Sequence, residues 1–189
     1  IVGIQEGDSK YMEKIVDVMN KDHQNFHIVG ETYSYIIYNV NRIGIPKKLS
    51  PDAHFMGEHG RQLLIVFFEK VGYLVINLHA PHKIPNLNEY IHEYISPYVG
   101  TIFEHIKRVI VTGDFNDGYY SPLINFIISG IKTKQHSKAP LACCSDSQYS
   151  TPGDYIFDSH YYKTGIYDIP EEAKSILMSD HHPVRYLGQ

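Results

Sequence analysis

At 189 residues the chain has room for one domain with a sizeable core, and too little for two ordinary ones. Hydrophobic residues make up 43% and charged residues 20%, and no window is long or apolar enough to span a bilayer, so disordered and helical-membrane classes are excluded. The formal net charge of −4 excludes a surface-wide basic field, so any nucleic acid has to be held by a local patch or through bound cations.

In chain order, Ile1 to Gln5 reads as a buried strand. The chain opens directly in this apolar run with no charged leader, and it is expected to lack upstream sequence. Met12, Ile15, Val16 and Met19 recur at helical spacing and predict an amphipathic helix over 10–20, with Ser9 as N-cap. Residues 33–39, rich in Tyr and Ile, predict a strand. Residues 63–68 and 73–78 flank Glu69-Lys70-Val71-Gly72 and predict a β-hairpin with the glycine in the turn. Residues 87–106 carry helical spacing interrupted by Pro97 and Gly100, which predicts two helical pieces or one helix that breaks there. Residues 108–112 form an apolar strand that ends in a sharp turn at Gly113-Asp114. A short helix is expected over 122–129, an irregular loop over 132–151, and further strands over 155–157 and 183–186. With no internal repeat or linker, the economical reading is one α/β domain over 1–189. The cysteines, adjacent at Cys143 and Cys144, are no disulfide framework and read as reduced thiols, which favours an intracellular location.

Five places set ionisable residues at the ends of apolar strands, where a sheet can present chemistry without burying unpaired charge. Glu6 follows the opening strand and can ligate a hard cation such as Mg²⁺; the alternative is an ordinary exposed Glu. His79 closes the second hairpin strand before Pro81 and can donate to a phosphate oxygen or protonate a leaving group; the alternative is a structural His. Asp114 and Asn116 follow the apolar run 109–111, and an extended chain would turn both side chains the same way. One anionic acceptor beside a neutral amide suits activation of water and binding of phosphate. The alternative is a turn in which both residues bond their own backbone. Asp154 stands at a strand entrance. Asp180 and His181 form an acid–imidazole pair before the last strand; the alternative is a polar loop.

In this order, Gln5-Glu6, Leu78-His79, Gly113-Asp114-Phe115-Asn116, Asp154-Tyr155-Ile156 and Ser179-Asp180-His181-His182-Pro183 resemble the successive motifs of the endonuclease/exonuclease/phosphatase superfamily. The Gly-Asp-Phe-Asn and Ser-Asp-His-x-Pro motifs are the most specific. The resemblance spans the chain and implies an α+β fold, a two-layer β-sandwich flanked by helices in the deoxyribonuclease-like order α/β/β/α. The family's first strand, which ends in an Asn, is expected to be missing upstream of Ile1. Residue by residue, the resemblance implies that Glu6 ligates the metal with Asp180 close by, and that His79 contacts the scissile phosphate. Asp114 and Asn116 then position water and bind phosphate, and His181 is the second histidine with Asp154 as its carboxylate partner. Arg61 resembles a phosphate-contacting arginine of the deoxyribonuclease branch, and Glu31 is a candidate partner for His79. Ala80-Pro81-His82 stands where abasic-site endonucleases place a tyrosine, whereas Asp154-Tyr155-Ile156-Phe157-Asp158 is closer to deadenylase-like members.

The implied function is a Mg²⁺-dependent phosphodiester hydrolase, with Mn²⁺ as a substitute, acting on DNA or RNA and needing no obligate protein partner. The alternatives are a phospholipid or inositol-phosphate hydrolase with the same site, and an inactive member that binds a partner. Two basic loops, with Arg42, Lys47 and Lys48 and with Lys132, Lys134 and Lys138, are candidates to border the pocket and hold nucleic acid.

Overall fold

Strand β1 (Val2–Gly7) leads into helix α1 (Ser9–Met19), then the hairpin β2 (Phe26–Glu31) and β3 (Tyr33–Asn39). A computed structural model describes residues 1–51, 55–56, 61–81, 87–116, 125–128, 131–135, 153–160, 166–168 and 185–187. A one-turn helix α2 (Val40–Ile43) and the short strands β4 (Lys47–Lys48) and β5 (Phe55–Met56) precede the long hairpin β6 (Arg61–Phe68) and β7 (Tyr73–His79). Helix α3 (Leu87–Val99) and a 3₁₀ turn (Phe103–His105) lead to β8 (Arg108–Asp114), followed by β9 (Asn125–Ile128), β10 (Ile131–Gln135), β11 (Asp154–Asp158), β12 (Ile166–Asp168) and β13 (Arg185–Leu187). One sheet has the order β1-β3-β2; the larger runs β4-β6-β7-β8-β11-β10-β9 with β5 also on β6; β12 pairs with β13. Among the described pairs only β7–β8 is parallel.

Alternating side chains divide the large sheet into two faces. Leu63, Ile65, Phe67, Leu74, Ile76, Leu78, Val109 and Val111 pack with Ile95 and Val99 of α3. On the other face Leu64, Val66, Phe68 and Val75 meet Ile36 and Tyr38 of β3. The remaining face of β3, Tyr35 and Ile37, is also buried, and Met12 of α1 reaches Tyr35 beside Gly7. The layers are therefore helix, sheet, sheet, helix, as the α+β sandwich expectation requires. At one end of the large sheet Arg108 and Asp158 form a half-buried pair, Nε to Oδ1 at 3.0 Å with a second bond from Nη2 to Oδ2. The Asp158 hydrogen bond holds the arginine even more firmly in its charged form.

Several local expectations change. The N-cap of α1 is Asp8, whose carboxylate accepts from the Lys10 amide at 2.9 Å; its extended backbone suits a cap, and Ser9 is already helical. Helix α3 passes through Pro97 and ends at Val99. Pro97 and Glu93 are both exposed, so water can take the carbonyl that a proline leaves without a donor. The helix expected over 122–129 is, in its described part, strand β9, and the loop expected over 132–151 begins as β10. Pairing decides this, because β10 bonds β9 on one side and β11 on the other. Short apolar runs do not distinguish strand from helix by periodicity. The chain does not turn at Gly113, which lies inside β8.

Near the ends of β1, β7 and β8 the apolar sandwich gives way to polar side chains, Asn77 and Thr112, directly under Gly3. A methyl group at Gly3 would overlap Thr112 Oγ1 and Asn77 Oδ1. Gly3→Ala is expected to cost about 1–3 kcal/mol, as overpacking of a filled interior does. Urea denaturation of the two proteins checks this, and equal midpoints would contradict the close approach.

Candidate active site

Strand register assembles the site. Parallel pairing of β7 with β8 sets His79 opposite Asp114, and antiparallel pairing of β8 with β11 sets Asp114 opposite Asp154. The three residues stand in a row across adjacent strands, on the face that meets the small sheet. Glu6 arrives from that other sheet. The β1–β3 register shifts between Ile4 and Gly7, and Glu6 takes a left-handed backbone at φ 56°. A non-glycine residue there is unusual, and such strain collects at functional sites.

The bulge brings Glu6 Oε1 within 3.2 Å of Arg61 Nη1 and 3.6 Å of His79 Nδ1. Arg61 Nη1 is 3.2 Å from His79 Nδ1, and His79 Nε2 is 3.5 Å from Asp114 Oδ2. Glu6, Arg61, His79 and Asp114 thus form one continuous polar chain. A guanidinium only donates, so Nδ1 facing it must accept, and a neutral His79 carries its proton on Nε2 toward Asp114. His79 and Asp114 are buried, at 9% and 7% exposure, whereas the Glu6 side chain is 70% exposed. Solvent screens the Glu6–Arg61 pair, so the exposed Glu6 carboxylate can exchange its partner at little cost.

Each residue of Gly113-Asp114-Phe115-Asn116 has a separate structural reason. Gly113 has φ 150° and lies so close to the Leu78 carbonyl that no Cβ fits. Phe115 is fully buried, edge-on to Tyr155 at 5.5 Å and tilted against Phe157 at 5.2 Å. That anchor fixes the two polar residues on either side of it. Asn116 is left-handed at φ 51°, so the two side chains do not follow from an extended chain. Asp114 Oδ1 accepts from the Asn116 amide at 2.8 Å, and Asn116 Nδ2 donates to the Ala80 carbonyl at 2.6 Å. Of the self-bonding turn weighed from the sequence, the Asp114 half is present and also aims the acid, whereas the Asn116 side chain bonds the distant Ala80 instead.

Of the residues singled out from the sequence, the structure brings together Glu6, Arg61, His79, Asp114 and Asn116, with Asp154 beside Asp114. Asp180 and His181 lie outside the described residues, and so does the expected Asp154–His181 pair. Glu31 is ion-paired with Lys48 at 2.9 Å; the carboxylates that approach His79 among the described residues are Glu6 and Asp114. The loop with Arg42 and Lys47 lies away from the site. Lys47 pairs with Phe67, six residues or roughly 20 Å along β6 from Arg61, and Lys70 of the β6–β7 turn bonds the Asn41 carbonyl. Sequence reasoning missed the polar layer of Asn77, Thr112 and Gln5 beneath the site. Its one signal was an asparagine within the apolar run Leu74–Leu78.

Among the described residues no three His, Cys, Asp or Glu side chains gather as a metal group. The donor chemistry nevertheless fits a hard divalent cation, which takes one or two carboxylates and fills the rest with water and phosphate oxygens. Glu6 is one such carboxylate, exposed and open to water. Among the described residues no helix is long and apolar enough to cross a membrane.

No family model matches the sequence, and no curated protein does. Solved structures do. Truncated TDP2 of Caenorhabditis elegans superposes with a TM-score of 0.62 at 13% identity, covering 96% of this chain and 81% of that one. The inositol polyphosphate 5-phosphatase domain of SPsynaptojanin, in complex with inositol (1,4)-bisphosphate and calcium ion, gives 0.60 at 14%, over 98% and 72%. The 3′ phosphatase NExo of Neisseria, bound to product DNA hairpin, gives 0.58 at 14%, over 99% and 87%. An endonuclease/exonuclease/phosphatase family protein of Leptotrichia buccalis gives 0.57 at 12%, over 95% and 77%. The fold of this chain is the endonuclease/exonuclease/phosphatase fold.

Because Phe115 holds Asp114 and Asn116 in place, Phe115→Ala is expected to cost about 3–5 kcal/mol of stability, with Phe115→Leu retaining most of it. Thermal and urea unfolding of the two variants measure this. An alanine variant as stable as the parent would show that the aromatic trio is not the anchor.

Proposed function

We propose that residues 1–189 act as one domain, a divalent-cation-dependent phosphoester hydrolase whose preferred substrate is single-stranded or short nucleic acid. The observation that carries this reading is the continuous chain Glu6–Arg61–His79–Asp114 at the ends of four strands, on a fold shared with NExo and an inositol polyphosphate 5-phosphatase. A phosphodiester resists water because its own negative charge repels the nucleophile. Arg61 offers fixed positive charge to a phosphate oxygen once it leaves Glu6. When protonated, His79 adds an Nδ1–H donor at the same place, its Nε2–H remaining toward Asp114. Asp114 is aimed by the Asn116 amide and accepts a proton from the attacking water. Asn116 has one N–H committed to Ala80 and a second left for phosphate. His181, with Asp154 beside it, is assigned to the transferring group by the resemblance.

Glu6, with Asp180, would hold Mg²⁺ or Mn²⁺, and such a cation when bound neutralises charge developing on the phosphate oxygens. Arg61 also sets the substrate preference. With the Arg42–Lys47 loop at the far end of β6, few cations among the described residues flank the site, and extended duplex would gain little there. A short or unpaired strand needs only a few phosphate contacts. An inositol phosphate is the second reading, favoured by the likeness to the synaptojanin domain.

Excess chelator is expected to abolish hydrolysis, and Mg²⁺ or Mn²⁺ to restore it. Asp114→Asn should lower kcat by roughly 10²–10⁴-fold, and Glu6→Gln should raise the metal concentration required. The assay is run side by side on a single-stranded oligonucleotide, a duplex, sphingomyelin and an inositol polyphosphate. Turnover is expected to be highest on the single strand, with a log–log salt slope of about −0.7 to −1.4, that of one or two phosphate contacts on a single strand. Full activity in chelator contradicts the metal-assisted reading, turnover confined to the inositol polyphosphate transfers the site to the second reading, and turnover confined to sphingomyelin contradicts both.

A further inference from the structure

Two residues back from His79 and Asp114 along their strands stand Asn77 and Thr112. Residues two apart on a strand share a face, so these form a second layer directly beneath the site, which Gly3, Gln5 and the Ile4 carbonyl of β1 meet from the small sheet. At its centre is Asn77, with no exposed surface. Its Nδ2 donates to the Ile4 carbonyl at 2.8 Å, to Ser34 Oγ at 3.1 Å and to the Tyr35 carbonyl at 3.2 Å. Its Oδ1 accepts from Thr112 Oγ1 at 3.0 Å and from Gln5 Nε2. One amide thus spends its whole bonding capacity between the sheets, tying β7 and β8 of the large one to β1 and β3 of the small one.

The tie matters most for β1. Val2 is 45% exposed, Gly3 has no side chain, and Ile4 and Gln5 are only partly buried. Apolar packing therefore holds this strand weakly. Glu6, exposed and left-handed, takes its position from the backbone that precedes it. We propose that Asn77 is a positioning residue for the reaction. Through Ile4 and Gln5 it sets how far Glu6, carried by the small sheet, stands from His79 and Asp114, carried by the large one. The inference rests on the proposed function, because it concerns the metal-side carboxylate of that same site.

The test compares Asn77→Leu, Gln5→Met and Thr112→Val with the parent protein, by Mn²⁺ binding to the free protein (electron paramagnetic resonance, no substrate), by kcat and KM, and by melting temperature. Asn77→Leu is expected to weaken Mn²⁺ binding at least tenfold and lower kcat at least a hundredfold, with KM within threefold. Gln5→Met, which removes the bond from the β1 side chain alone, should weaken Mn²⁺ binding three- to tenfold. Thr112→Val leaves the bonds to β1 intact and should melt lower while keeping Mn²⁺ affinity within twofold. Should Asn77→Leu fail to fold, Gln5→Met decides. Parental Mn²⁺ affinity in Gln5→Met, or an equal loss in Thr112→Val, overturns the positioning role in favour of general stability. A parent protein that neither binds Mn²⁺ nor hydrolyses any phosphoester overturns the reading of the site, and this inference with it. A parent that does both while its variants match it overturns this inference alone.

Discussion

Strands β7 and β8 run in the same direction, and their hydrogen-bonded register sets Asn77 against Thr112, Leu78 against Gly113 and His79 against Asp114. Parallel neighbours cannot be joined by a tight turn, so the chain crosses over through α3, which covers one face of the sheet with Ile95 and Val99. The other face is left for the small sheet and for the polar pairs. Side chains alternate with a period of two, so a one-residue slip would drive Asn77, His79, Thr112 and Asp114 into the apolar layer under α3. Burying those groups without partners would cost several kcal/mol. Gly113 reinforces the register, because only a residue without Cβ passes the Leu78 carbonyl.

Candidate site groups from two different sheets pose a problem that a single sheet does not. His79, Asp114 and Asp154 are held relative to one another by ladders of backbone hydrogen bonds, which are stiff. Glu6 belongs to the opposite sheet, and side chains alone connect it to the others. The sandwich is filled by apolar contacts over most of its extent, with Ile36 and Tyr38 against Leu64, Val66, Phe68 and Val75. Apolar contacts have no strong directional preference. At the site end directional bonds replace them, so spacing there is defined by hydrogen-bond length. The exposed Glu6–Arg61 pair is the adjustable member of this arrangement, and the buried His79–Asp114 pair is the fixed one.

The ends of strands carried most of what could be read early. Apolar runs such as Leu63–Phe68 and Val109–Val111 are recognisable because a strand buried on both faces shows no polar alternation. A charged residue that closes such a run stands out against it, which is how His79 and Asp114 were legible. Residues 125–128 and 131–135 failed for the converse reason: each is too short for periodicity to speak, and each is a strand only because a neighbouring strand is there to bond it. Asn116 failed in detail, since a left-handed backbone beside a capping carboxylate cannot be read from residue order. Lys47 is near Arg61 in sequence and far from it in space, because β4 pairs with the distant end of β6.

By itself the sequence determined the apolar runs that become strands and helices, and the identity and order of the polar residues at strand ends; the sandwich order followed only from the resemblance those residues carry. The runs and the polar order are local properties: a side chain's chemistry and its distance along the chain from an apolar run. Beyond the hairpin of β6 and β7, the tertiary structure alone decided which strands are neighbours, that one pair is parallel, that Glu6 meets Arg61 and His79 across the gap between sheets, and that a buried asparagine joins the two beneath them. Each of these depends on contacts between residues some twenty to seventy positions apart. Such contacts form only after the apolar faces have packed, and one sequence carries no direct record of them.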